Sequence, residues 1–163
     1  MKNKDLLKAV KMFGSPSYIY DASKIKKQYN RLITSFKTVK NLKINYAVKA
    51  LSNLSILKYI NHLGAGIDTV SIQEVLIGIK AGFSPDKIIY TPNGVSINEI
   101  IKVSKMGVNI NIDNLNMLEQ FGSLHPEIPV CIRINPHVMA GGNNKISVGH
   151  IDSKFGISIH QIP

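Results

Sequence analysis

Lys49, Asp68 and Arg133 each stand at or just past the end of a short apolar run, and together they bring an amine, a carboxylate and a guanidinium. Lys49 closes the run Ile44-Asn45-Tyr46-Ala47-Val48-Lys49 and is followed at once by helix-compatible sequence. An amine held at a strand end inside a cleft is taken out of bulk water and can form a Schiff base with an aldehyde. A surface lysine is the plainer outcome for that run taken alone. Asp68 and Arg133 also have plainer uses, one as a cap for the helix that begins near Ser71, the other as a rim partner for a carboxylate. The case for a site rests on the elements that place all three.

Short apolar runs over 42–47, 65–70, 87–90, 108–112 and 129–134 read as strands whose starts recur every 21 to 23 positions. The segments between them read as helices over 54–63, 72–81, 97–105 and 114–121. Asn53, Ser71, Ser96 and Asn114 are the expected N-caps, with Glu74 and Glu99 three residues after their serines in the capping-box position. Gly64, Gly82 and Gly107 are the expected stops. Strands alternating with helices at this pitch predict βα units on a parallel sheet, and the even period favours a (β/α)8 barrel over a doubly wound sheet. No Gly-x-Gly-x-x-Gly turn and no phosphate-loop lysine pattern follows any of the strands. Barrel enzymes build their sites at the C-terminal ends of the strands, which is where Lys49, Asp68 and Arg133 fall.

Five βα steps account for 163 residues, whereas a (β/α)8 barrel takes about 250. The expectation is therefore a partial barrel, cut after about five strands, that forms the first part of a longer protein. Residues 1–40 are expected to hold an N-terminal strand and a basic helix, and 41–163 the first five βα units. The net charge of +10 is concentrated at the N-terminal end, where residues 1–43 hold eleven Lys/Arg against two Asp. The other 120 residues hold nine Lys/Arg against eight Asp/Glu, and no aromatic residues interleave with the lysines as a base-stacking surface would need. The basic stretch reads as a solvated helix, not a nucleic-acid face. No run approaches the roughly 20 apolar residues of a membrane span. The first residues make a poor signal peptide, and the single Cys131 precludes an internal disulfide, so a cytoplasmic protein is expected. Cys131 lies in the apolar run Val130-Cys131-Ile132 and is expected to be buried. The five histidines show no metal-ligand spacing, and His137 and His150, with Gly141-Gly142 between them, read as loop and turn residues.

Four stretches carry a family resemblance: Ser17-Tyr18-Ile19-Tyr20-Asp21; Tyr46-Ala47-Val48-Lys49-Ala50; Gly64-Ala65-Gly66-Ile67-Asp68-Thr69-Val70-Ser71 with Glu74; and Arg133-Ile134-Asn135-Pro136 followed by Ser147-Val148-Gly149 and Ser153-Lys154-Phe155-Gly156-Ile157. Together they resemble the fold-type III pyridoxal-phosphate decarboxylases, and within them the diaminopimelate decarboxylase branch. The resemblance implies a barrel of the alanine racemase/ornithine decarboxylase type. It makes Ser17–Asp21 an opening strand and Lys49 the residue that holds pyridoxal 5'-phosphate as an internal aldimine. It also places Asp68 near the lysine amine, Arg133 near the cofactor ring and Lys154 at a subunit contact of a homodimer. The implied reaction is decarboxylation of an amino acid, meso-diaminopimelate to lysine and carbon dioxide. A related basic amino-acid or polyamine decarboxylase, a racemase, and a non-catalytic partner-binding fragment stand as alternatives.

Two positions depart from the family pattern: Leu51 stands where asparagine is common, and Asn143-Asn144 where Thr-His is common. The resemblance puts the glycine-rich phosphate loop, a His-x-Gly-Ser strand, a Glu-Pro-Gly-Arg segment and a C-terminal β domain beyond Pro163. The 163 residues alone are accordingly expected to be inactive.

Overall fold

A computed structural model describes residues 2–138, 148–150 and 153–162. The chain divides into two compact units, Met1–Leu42 and Lys43–Pro163. The first holds helices α1 (Asn3–Phe13) and α2 (Ala22–Ser35). Asp21 caps α2 by accepting the Lys24 N–H at 3.1 Å. The basic helix expected within residues 1–40 is α2. Residues 17–21, expected as an opening strand, pair with no strand among the described residues.

The second unit alternates strands and helices. Its elements are β1 (Asn45–Ala47), α3 (Leu54–His62), β2 (Gly66–Thr69), α4 (Ile72–Lys80), β3 (Ile88–Tyr90), α5 (Ile97–Ser104), β4 (Asn109–Ile112), α6 (Leu115–Leu124) and β5 (Val130–Ile132). The five strands form one parallel sheet in chain order. All five expected strands and four expected helices are present, the strands shorter by one to three residues and α6 running three residues further.

Side chains alternate across the sheet, as the pleat requires. Ile67, Thr69, Ile88, Tyr90, Ile110 and Ile112 are buried on the face that the helices cover. The helices answer with Leu57 and Ile60, Ile72 and Val75, Ile100 and Val103, and Phe121. Each of these large apolar side chains contributes roughly 1.5–3 kcal/mol on burial. At Gly78 a Cβ would stand 2.4 Å from Ile67 Cδ1, so this position lets α4 lie close on β2. The opposite face carries Asn45, Asp68, Ile89, Asn109, Asn111 and Cys131, all half-buried or exposed. Cys131 is thus exposed, contrary to expectation, because it pairs with Asn111 and shares that open face.

The four N-caps form as expected: Asn53 accepts from Ser55 and Ile56 at 3.0 and 3.2 Å, Ser71 from Glu74 and Ser96 from Glu99 at 3.3 Å, and Asn114 from Met117 at 2.9 Å. The expected return bonds of the two glutamates go elsewhere. Glu74 accepts from Val70 N–H at 2.8 Å, one residue before the cap. Glu99 turns to the sheet and accepts the Tyr90 hydroxyl at 2.5 Å, since a fully buried phenol needs a partner. Burial, then the hydrogen bond and charge of Glu99, hold Tyr90 protonated far above the ordinary tyrosine range. A second small parallel pair, β6 (Ile134–Asn135) with β7 (Ile157–Ser158), ties the end of the described chain to the segment after β5.

Two consequences can be measured by denaturant unfolding. Tyr90→Phe leaves Glu99 half-buried without its donor, and the account expects a loss of about 1–3 kcal/mol with an unchanged m-value. Gly156 has φ +84°, and a Cβ there would meet Asn135 N at 2.8 Å and Ile134 C at 3.0 Å, so Gly156→Ala should cost at least about 1 kcal/mol.

Candidate functional site

Parallel pairing brings every strand's C-terminal end to one rim of the sheet. After Ala47 the chain turns through a 3-10 turn, Val48–Ala50. Val48 is fully buried and anchors this turn, while Lys49 beside it is exposed. The turn is closed by Leu51 N–H to Val48 C=O at 3.0 Å and by the Tyr46 hydroxyl to Leu51 C=O at 3.2 Å. The Lys49 amine makes no hydrogen bond or ion pair among the described residues, so no structural task engages it. The enclosure expected around it is not supplied by these residues, because the sheet face it borders is open.

Asp68 lies inside β2, next to the end of β1 in the register Ala47↔Asp68. Its Oδ1 accepts the Thr91 hydroxyl at 2.9 Å, and Thr91 Oγ1 accepts from Asn111 Nδ2 at 3.4 Å. Asp68 therefore serves a polar row across three strands and does not cap α4, a task that Ser71 performs.

Arg133 follows β5, where its N–H reaches Ile112 C=O and its C=O accepts from Ile157 N–H, both at 2.8 Å. Its guanidinium lies 4.6 Å from the centroid of the Phe155 ring, and the exposed Lys154 brings its amine to 5.1 Å of the same ring. Cation–π attraction thus holds Arg133, and no carboxylate pairs with it among the described residues. Lys49 lies two residues past Ala47, the partner of Asp68 on the adjacent strand, while Arg133 follows β5, four strand spacings from β1, roughly 19 Å across the sheet.

Further side chains tie this rim together. Asn93 Nδ2 donates to buried Asp113 Oδ2 at 2.7 Å and to Lys154 C=O at 3.3 Å, linking the loop after β3 to the Lys-Phe-Gly segment. Buried Asn135 donates to His150 C=O and accepts from His137 N–H, both at 3.0 Å. His137 contacts Ser158 Oγ through Nε2 at 2.7 Å. Gly141, Gly142, Asn143, Asn144 and Ser147 lie outside the described residues.

Sequence reasoning does not single out Thr91, Asn111, Asn93 or Phe155 by itself. One signal does point to Asn111: Asn109-Ile110-Asn111-Ile112 alternates strictly, whereas a parallel strand covered on both faces is a continuous apolar run. Such a strand announces one polar face, and Asn111 is on it.

Residues 22–162 match the family described as pyridoxal-dependent decarboxylase, pyridoxal binding domain. The diaminopimelate decarboxylase of Methanothermobacter thermautotrophicus is 34% identical over 161 residues, which cover 98% of this chain and 38% of that protein. The diaminopimelate decarboxylase of Helicobacter pylori (strain J99) is 39% identical over 150 residues, covering 89% of this chain and 37% of the relative. The crystal structure of a mutant form of the Helicobacter pylori enzyme complexed with L-lysine superposes with a TM-score of 0.82 at 33% identity, covering 96% of this chain and 40% of that one. The enzyme from M. jannaschii, also complexed with L-lysine, gives 0.80 at 30% identity, with 95% of this chain covered and 38% of its own. The chain thus spans about two-fifths of the length of these relatives, and its five-stranded sheet is the corresponding part of their TIM-barrel domain. An unengaged lysine amine at the rim, a carboxylate on the next strand and this likeness over nearly all of its length converge: the chain belongs to the pyridoxal-dependent decarboxylases, through their pyridoxal-binding domain.

Proposed function

We propose that the protein carrying these residues decarboxylates meso-diaminopimelate to lysine, with pyridoxal 5'-phosphate bonded to Lys49. The observation that carries this reading is the Lys49 amine itself, set on the C-terminal rim by a buried anchor and unengaged among the described residues. The donor set fits the cofactor. A primary amine suits its aldehyde, and Asp68 keeps Oδ2 uncommitted among the described residues because Oδ1 takes the Thr91 hydroxyl. Asn111 Oδ1 is buried without a partner on the same face, an acceptor available to a donor brought by a ligand.

When bound, the cofactor supplies an electron sink for the pair left behind as a carboxylate departs as carbon dioxide. Lys49 would hold it through Nζ, and its amine would keep at the rim a nitrogen able to carry a proton. Asp68 offers a carboxylate oxygen to an N–H of the bound molecule. Arg133, braced on Phe155, presents a fork of donors to an anionic group at the rim. The working enzyme is read as a cytoplasmic homodimer with Lys154 at the subunit contact. The lone cysteine and the charge excess confined to residues 1–43 support a thiol-reducing compartment and no nucleic-acid partner.

The test is carbon dioxide release by the complete protein from meso-diaminopimelate, L-lysine, L-ornithine and L-arginine. The reading expects kcat/KM for diaminopimelate to exceed the others by about 10²-fold or more, and Lys49→Arg to lower it by at least about 10³-fold. A higher kcat/KM for ornithine or arginine would overturn the substrate. Full turnover by the Lys49→Arg variant would overturn the site.

A further inference from the structure

We propose that Thr91 is a positioning residue for Asp68, and that Asn111 supports it by donating to the hydroxyl oxygen of Thr91. The inference rests on the reading of Lys49 and Asp68 given above and adds to it two residues that hold the carboxylate in place. Thr91 follows β3 directly, and its own N–H donates to Thr69 C=O at 2.8 Å, so the β2–β3 ladder continues through it. Its backbone is thereby fixed to the strand that carries Asp68, and its side chain reaches back across the same pair of strands to Asp68 Oδ1 at 2.9 Å.

The direction of the row follows from counting hydrogens. A threonine hydroxyl has one hydrogen to give and two lone pairs with which to accept. Asp68 as a carboxylate only accepts, so the hydrogen of Thr91 is committed to it. The contact from Asn111 at 3.4 Å must then be a donation from the amide nitrogen into the Thr91 oxygen. Turning the amide round would set two acceptors against each other. The consequence is visible in the structure: Asn111 Oδ1 points away from Thr91 and is buried without a partner. An unsatisfied buried acceptor is unfavourable, and it persists here because the nitrogen is engaged on the other side. The β-branched side chain of threonine adds a restricted χ1, which serine lacks. Donor follows donor from β4 to β2, and one carboxylate oxygen of Asp68 is held while the other is left uncommitted among the described residues.

Thr91→Val keeps the shape and removes the hydroxyl; Thr91→Ser keeps the hydroxyl and removes the methyl. In the complete protein, the dissociation constant of pyridoxal phosphate is read from its visible absorbance, alongside kcat, KM and the thermal midpoint. Thr91→Val is expected to weaken cofactor binding about tenfold and to lower kcat by a similar factor, with KM for the amino acid within about twofold of wild type. Thr91→Ser is expected to recover both within about threefold. A Val variant with wild-type affinity and kcat overturns the proposal, even if its thermal midpoint falls, and so does a Ser variant no better than Val. Lys49→Ala separates the two levels of the argument. It should remove the visible band of the imine between cofactor and protein, leaving at most the spectrum of the free aldehyde; if the imine band survives unchanged, the reading of Lys49 fails and the role of Thr91 with it.

Discussion

The parallel register of β1 through β5 is the constraint on which everything else depends. Pairing Ala47 with Asp68 sets the end of β1 beside the second half of β2, and burial of Val48 then leaves Lys49 nowhere to go but the rim. Because side chains alternate with period two, a slip of one residue would carry Asp68 into the helix-covered core and bring Ile67 or Thr69 out. The apolar row Ile67, Ile88, Ile110 and Ile112 forbids that slip: each is buried under the helices, and a shifted strand would forfeit them together. The polar face is therefore held in place by the packing of the opposite one. The candidate site is a by-product of register, and register is decided by the core.

The second organising feature is how the rim is braced where strands give way to loops. Asn93 reaches both Asp113 and the Lys154 carbonyl, Arg133 spans β4 and β7 through its own backbone, and its guanidinium rests on Phe155. Gly156 completes the arrangement, since its left-handed backbone lies against Asn135 with no room for a Cβ. The Lys-Phe-Gly segment thus acts as a fastening for Arg133 in this chain. Its three residues do three different things: a carbonyl for Asn93, a ring for a cation and a turn that only glycine fits.

Much of the fold is legible in the sequence because the signals are local. Strand spacing, the caps at Asn53, Ser71, Ser96 and Asn114, and the parallel sheet all follow from patterns within a few residues of one another. The places of Lys49, just past β1, and of Asp68, late in β2, are legible for the same reason. What escapes depends on contacts between distant positions. The capping-box spacing points Glu99 to its own helix start, but a buried phenol nine residues earlier claims its carboxylate. Cys131 sits in an apolar run, yet its face is set by its pairing with Asn111, twenty residues away. Thr91 and Asn111 look like ordinary polar residues until the sheet brings them into line with Asp68.

The account stands or falls on which nitrogen holds the cofactor. The decisive measurement is borohydride reduction of the complete protein loaded with pyridoxal phosphate, followed by digestion and mass mapping of the labelled peptide. The account predicts one phosphopyridoxyl group, on Lys49, in the peptide that contains Tyr46-Ala47-Val48. A label on any other lysine, with Lys49 unmodified, would contradict it and with it the register from which the site was built.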